Sequence, residues 1–261
     1  MGNEIVLEGG GRNQVSKLGN VVFRSSGPWS RSVIGLLRYL ERSGFSEAPS
    51  VIGKGFDEKG RETLSFVAGD VLHPMPWRDE ALPEVGAMLK RLHDATNLFQ
   101  IPQDAIWQPW FGRSLGVGPW VVGHCDVGPW NIVSRNGLPV ALIDWEIAGP
   151  VRQDTELAQA CWLNAQLYDD DIAEKVGLGS AASRARQMRL LLDGYGLTRI
   201  ARKGFVDKVI EFAILDAAAQ AIGSSVTAES KDAEPLWAIT WRTKSAAWML
   251  RNRHLLDAAL S

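Results

Sequence analysis

Val121-Val122-Gly123-His124-Cys125-Asp126-Val127-Gly128-Pro129-Trp130-Asn131 opens the informative part of this chain. It continues through Ile132-Val133-Ser134-Arg135, Asn136-Gly137 and Leu138-Pro139-Val140-Ala141-Leu142-Ile143 to Asp144-Trp145-Glu146. Two apolar runs flank Asn136-Gly137, a dipeptide that favours tight β-hairpin turns. A four-residue loop at 136–139 pairs Arg135 with Val140 and sets Asn131 opposite Asp144, whereas a two-residue turn moves the register by two. Either geometry brings Asn131 and Asp144 to one end of neighbouring strands. An amide oxygen and a carboxylate held together are hard ligands that suit Mg²⁺, with waters and phosphate oxygens completing its shell. Asp126 lies five residues before Asn131, in a Gly-Pro loop that excludes a helix. Its carboxylate can face the same cleft and orient or deprotonate a hydroxyl. His124 is expected to brace that loop by hydrogen bonds.

Outward from this block the pattern is strands first, helices later. Ile5-Val6-Leu7, Val21-Val22-Phe23, Val51-Ile52 and Leu64-Ser65-Phe66-Val67 read as strands, with a turn at Gly19-Asn20. One amphipathic helix, carried by Val33, Leu36, Leu37 and Leu40, interrupts them, with Ser30 as its expected N-cap. After Gly69 the periodicity turns helical. Leu82, Val85, Leu89 and Leu92 mark a helix over 79–95, and long helices are expected near 181–194, 203–223 and 234–258. Strands and helices in blocks, without βαβ alternation, predict an α+β fold. The expected architecture is a small strand-rich lobe at 1–67 and a larger helical lobe at 68–261.

Composition narrows the function classes. The 261 residues carry 28 basic and 30 acidic side chains, a net charge of −2 that gives no footprint for nucleic acid. No apolar run approaches the ~20 residues that span a bilayer. The N-terminus has no charged-then-apolar signal pattern. Two cysteines, Cys125 and Cys161, rule out a disulfide scaffold. The expectation is a cytoplasmic protein without membrane or nucleic-acid partners.

His124-x-Asp126-x4-Asn131 followed by Asp144 is the arrangement of kinase-type phosphoryl transfer. The block resembles the aminoglycoside phosphotransferase and choline kinase group, small-molecule kinases with a protein-kinase-like fold. The resemblance is strongest over 121–158 and thin in the last ~80 residues. It implies a catalytic role for Asp126, with His124 as the loop histidine, and metal ligation by Asn131 and Asp144. It gives the backbone at Ser65 and Val67, in the hinge-like segment Leu64–Gly69, to the adenine. The loop from Leu7 to Asn13, with Gly9, Gly10 and Gly11, is similar to the family's phosphate cover. ATP, with GTP as the alternative, and Mg²⁺ are the implied cofactors.

Three departures stand out. The family's strand lysine falls at Arg24, which keeps the charge but presents a rigid fork. The acid that pairs with that cation belongs inside the first helix, whose sole acid, Glu41, lies near its end. The family's Asp-Leu-Ala appears as Glu156-Leu157-Ala158 and reads as structural.

Only about seven residues separate Glu146 from the helix expected near Asp154, too few for the long segment that seats a protein substrate. The acceptor is therefore expected to be a hydroxyl on a small molecule. Tyr168-Asp169-Asp170-Asp171, read as a helix end and its following turn, is either a polyamine-attracting cluster or a solvated acidic turn. Trp237, Trp241 and Trp248 share a helical face that reads as core packing. Trp107, Trp110, Trp120 and Trp130 either pack the loops or line a ligand pocket. Two other readings remain: a kinase-like nucleotide binder without turnover, and a metal-dependent hydrolase built on His124, Asp126 and Asp144. The hydrolase needs more ligands than His73, His93 and His254 provide by their spacing.

Overall fold

The computed structural model describes residues 4–7 and 15–261. Gly9, Gly10 and Gly11, the expected phosphate loop, lie outside the described residues. Five antiparallel strands form the first sheet: β1 (Ile5–Val6), β2 (Val15–Leu18), β3 (Val21–Arg24), β4 (Val51–Phe56) and β5 (Glu62–Ser65). Their order is β1-β2-β3-β5-β4. The sequence reading missed β2, whose Ser16 and Lys17 dilute its apolar character. Helix α1 (Ser30–Arg42) packs against β4 of this sheet. Ser30 is its first helical residue and not the expected N-cap, because its hydroxyl oxygen accepts the Gly27 N–H at 2.9 Å and closes the preceding turn.

The chain leaves this sheet at Ser65 and enters another at β6 (Asp70–Val71). Helix α2 (Ala81–Thr96) follows, with Leu82, Val85, Leu89 and Leu92 all fully buried, as the 3.6-residue period requires. β6 pairs with β8 (Ile132–Arg135), which pairs with β9 (Leu138–Leu142). β7 (Trp120–Gly123) pairs antiparallel with β10 (Gly149–Arg152).

The rest is helical: α3 (Gln153–Asn164), α4 (Asp170–Val176), α5 (Ala181–Tyr195), α6 (Phe205–Gly223), α7 (Ala233–Arg251) and α8 (Arg253–Leu260). The single helix expected over 234–258 is broken at Asn252, whose side-chain amide donates to the Trp248 carbonyl at 3.0 Å. One continuous core joins α1 to α2, α3, α5, α6, α7 and α8. Among the described residues no helix is long and apolar enough to cross a membrane.

Two close approaches set the helical packing. At Gly86 of α2 a Cβ would sit 2.0 Å from the Leu191 carbonyl oxygen, and at Gly194 of α5 it would sit 1.9 Å from that of Pro83. Both glycines let the two helices meet backbone to backbone. α3 instead is buried on every side, from Thr155 to Asn164. Such a helix should be apolar throughout, yet it carries Glu156, Gln159 and Asn164.

Candidate active site

The β8–β9 hairpin places the expected metal ligands. Asn136 and Gly137 both have positive φ, 54° and 78°, as a two-residue primed turn demands. The register runs from Arg135↔Leu138 to Ile132↔Leu142, with a bulge after Val133/Ser134 that adds one residue. The outcome lies between the two expected registers. Ile143 N–H donates to the Asn131 carbonyl at 2.9 Å, so Asp144 follows immediately at the strand end.

Asp144 then enters the left-handed region, φ 65° and ψ 61°. An aspartate tolerates this conformation better than most residues. It sends the carboxylates of Asp144 and Glu146 into one cleft and Trp145 into the core. The Trp145 ring packs edge-on against His124 at 4.7 Å, and its indole N–H donates to the Leu142 carbonyl at 2.9 Å.

The loop carrying Asp126 is held from behind. His124 is fully buried, its Nε2 2.8 Å from the Ile143 carbonyl and its Nδ1 3.2 Å from the Asp126 amide. Burial lowers its pKa and keeps the ring neutral, with Nε2–H donating and Nδ1 accepting. It ties the Asp126 loop to the Asp144 strand and does not face the cleft.

The polar residues of α3 complete the support. A Glu156 carboxylate oxygen accepts the Cys125 N–H at 2.5 Å, and the other lies 2.6 Å from His93 Nε2. Burial alone would raise Glu156, but His93 and the Cys125 amide hold it below the usual range. Gln159 accepts from Val127 N–H at 3.2 Å and donates to the Cys125 carbonyl at 3.1 Å. Asn164 donates to the Val127 carbonyl at 2.8 Å. Cys125 has φ 66°, a strained backbone that these contacts hold in place. Sequence reasoning named Glu156 as structural and missed Gln159 and Asn164. Their signal was present as polar residues recurring in an otherwise apolar helix.

Asp126 itself lines the cleft. Its carboxylate accepts from the Asn131 side-chain amide at 2.9 Å and the Trp130 indole at 3.4 Å. Burial, reinforced by the neighbouring charges of Asp144 and Asp216, pushes its pKa up to about 6. Such a carboxylate is poised to take a proton near neutrality. The Asn131 side-chain nitrogen is thus turned to Asp126, bonding its carbonyl at 3.1 Å as well as its carboxylate.

Arg24 closes the cleft from β3. Its guanidinium is ion-paired with Asp144, and with Glu146 at 3.3 Å. Glu41, the acid of the first helix, is exposed on α1 and is not among the salt-bridge partners of Arg24.

The cleft occupies about 860 Å³ and gathers Arg24, Asp126, Asn131, Asp144 and Glu146. Ser65 and Val67 stand at the end of β5 and beyond it, outside its lining; Ser65 is engaged with Ser50. The lining also includes Trp110, Phe111, Trp130 and Trp241, with Asp216 of α6 paired to Arg242 of α7 at 2.6 Å. The tryptophan stripe of α7 is divided. Trp248 is fully buried, Trp241 stacks on Trp162 at 5.1 Å beside the cleft, and Trp237 is exposed. Trp120 lies outside the cleft under the Arg152 guanidinium.

The acidic run at 169–171 starts a helix and does not end one. Asp169 caps α4 and pairs with Arg251, Asp170 accepts from Trp248, and Asp171 pairs with Lys244.

This architecture is the fold of the aminoglycoside phosphotransferases and choline/ethanolamine kinases. A solved amicoumacin kinase aligns with TM-score 0.68 at 14% identity, over 94% of this chain and 88% of its own. A microcompartment-associated aminopropanol kinase gives 0.66 at 14%, over 99% and 94%. A choline/ethanolamine kinase family protein from Mesorhizobium loti gives 0.61 at 17%, over 99% and 92%. These identities speak for the fold alone. No protein-family model matches the chain. Its sequence is 67% identical, over all 261 residues and the whole of the relative, to the trifolitoxin immunity protein of Rhizobium leguminosarum bv. trifolii. The chain belongs to the family of that immunity protein.

Proposed function

We propose that this protein is an ATP-dependent phosphotransferase that protects its host by moving the γ-phosphoryl group to a hydroxyl of a small toxin. The observation that carries the reading is the convergence of Asp126, Asn131, Asp144 and Arg24 on one cleft. The immunity relative supports the protective role, and the amicoumacin kinase was solved with AMP-PNP and Ca²⁺.

In this reading residues 1–67 hold the nucleotide and 68–261 the catalytic loop and acceptor, in the cytoplasm. Ser65 and Val67 offer backbone to the base, and Gly9 to Gly11 cover the phosphates. Asn131 and Asp144 fit Mg²⁺, which when bound neutralises phosphate charge. Among the described residues no three or more His, Cys, Asp or Glu side chains form a closed metal cage. The pair fits a cation shared with a phosphate-bearing ligand. Arg24 bears on the phosphates from β3, and Asp126 orients the acceptor hydroxyl and takes its proton. The aromatic wall and the Asp216–Arg242 pair shape the acceptor side. Rate enhancement comes from positioning and charge neutralisation.

The test is Mg²⁺-dependent ADP release with pooled hydroxyl acceptors and trifolitoxin, comparing wild type with Asp126→Ala. In parallel, both are expressed in a toxin-sensitive strain. Turnover and protection that vanish together in the variant support the reading; full protection by Asp126→Ala refutes it. The Arg24–Asp144 ion pair favours a second reading, a nucleotide binder without turnover, because it engages the expected metal ligand. Mg·ATP binding with no product from any acceptor would select that alternative.

A further inference from the structure

Arg24 departs from the resembled family, and so does its setting. Its direct ion-pair contacts run to Asp144 and Glu146, both facing the cleft. A third carboxylate stands behind it. Glu62 on β5 is the cross-strand partner of Arg24 in the β3–β5 ladder, which puts the two side chains on the same face of the sheet. Glu62 is only 4% exposed, and Arg24 8%.

A carboxylate buried this deeply is costly unless a charge or hydrogen bonds compensate it. Glu62 has two compensating groups. Burial pushes the Glu62 pKa up, and the Ser30 hydroxyl and the Arg24 charge on the neighbouring strand oppose that rise. Ser30 is 1% exposed and is itself fixed by the Gly27 N–H at 2.9 Å. Ser30, Glu62 and Arg24 thus lie one beside the next between the turn before α1 and the cleft. Asp144 and Glu146 sit at the open side, where a bound cation would draw on them and a phosphate would compete with them for Arg24. Glu62 is instead buried beside Arg24 on the paired strand. Glu41 cannot do this, because it is exposed on α1.

We propose that Glu62 is the positioning residue for Arg24: from strand β5 it holds the guanidinium at the cleft for the nucleotide phosphates, in place of an acid on the first helix. The proposal rests on the nucleotide-binding reading above. It assigns Glu62 no contact with substrate. Its effect is transmitted through Arg24 and is confined to ligands that carry phosphates.

The experiment measures calorimetric affinities for Mg·AMP-PNP and for adenosine, which has no phosphate. Wild type, Glu62→Gln, Glu62→Asp, Arg24→Gln and the Arg24→Gln/Glu62→Gln double variant are compared. Glu62→Gln keeps shape and hydrogen bonding but removes the charge. It is expected to weaken Mg·AMP-PNP ~10-fold and adenosine less than ~2-fold. Glu62→Asp keeps the charge and is expected to recover part of the loss. In the Arg24→Gln background the second substitution should add less than ~2-fold, because coupled residues are not additive.

Equal Mg·AMP-PNP affinity in wild type and Glu62→Gln overturns the proposal. So does a parallel loss of adenosine, which marks a merely structural residue, or full additivity in the double variant. Should Glu62→Gln fail to fold, the comparison of Arg24→Gln with Glu62→Asp decides: weakened Mg·AMP-PNP in the first and a distinctly smaller loss in the second supports the proposal, and any other pattern overturns it. A wild type that binds neither ligand overturns the nucleotide reading itself, an outcome distinct from a wild type that binds and a variant that binds equally.

Discussion

Asp126 owes its chemistry to its neighbours. Burial and the charges of Asp144 and Asp216 raise its pKa to about 6, while Asn131 and Trp130 hold the carboxylate in place. In the proposed role as base Asp126 must be ionised, so turnover should rise with pH through an acid limb near 6. A kcat/KM profile of wild type checks this, and a flat profile from pH 5 to 8 would remove the assignment. Replacing Asp126 by Asn should leave Mg·AMP-PNP affinity within about threefold and cut turnover by ~10²-fold or more, read by calorimetry and ADP release.

At the scale of the element, α3 explains the loop. Glu156, Gln159 and Asn164 together bond the backbone of Cys125 and Val127. The Glu156 carboxylate fills the space where a Cβ on Gly123 would sit, 2.2 Å away. Glu156→Asp shortens the side chain and should fail to reach both Cys125 and His93, costing about 1–3 kcal/mol through an unsatisfied buried group. Denaturant unfolding checks it. The sign of its pH dependence follows from its lowered pKa. Its stabilisation is full above the ordinary glutamate range and is lost as pH falls through the depressed value. The stability gap between wild type and Glu156→Gln should therefore shrink on acidification. The α2–α5 contact gives a separate prediction. Gly86→Ala forces a methyl against the Leu191 carbonyl and should destabilise by about 1–3 kcal/mol or more, seen as a lower Tm.

Across the whole molecule the cleft is made by parts far apart in sequence: Arg24 from β3, Asp126 from its loop, Asp144 from the hairpin, and Asp216 and Arg242 from α6 and α7. A ligand that engages both sides stabilises the native state by mass action, about 2.7 kcal/mol at a hundred times Kd. Mg·ADP should raise the Tm of wild type in a concentration-dependent way. The same titration should leave Asp144→Ala nearly unmoved, and an equal rise in both proteins would count against Asp144 as a metal ligand.

The sequence alone determined what depends on local rules. Asn136-Gly137 fixed a hairpin because few other dipeptides take two positive φ angles, and that hairpin led to Asn131 and Asp144. Apolar spacing located α1, α2, α5 and α6 because a buried face must repeat every 3.6 residues. Asp126 was legible within His124-x-Asp126-x4-Asn131, and Arg24 only through the family resemblance, at the end of Val21-Val22-Phe23. Tertiary structure decided the rest. The bulge that set the final register, the pairing of Arg24 with Asp144 and Glu146, the place of Glu62 behind it, and the roles of Gln159 and Asn164 all depend on contacts between distant segments. Local periodicity assigns a residue to a face. Only packing decides which charge or hydrogen-bonding group that face meets.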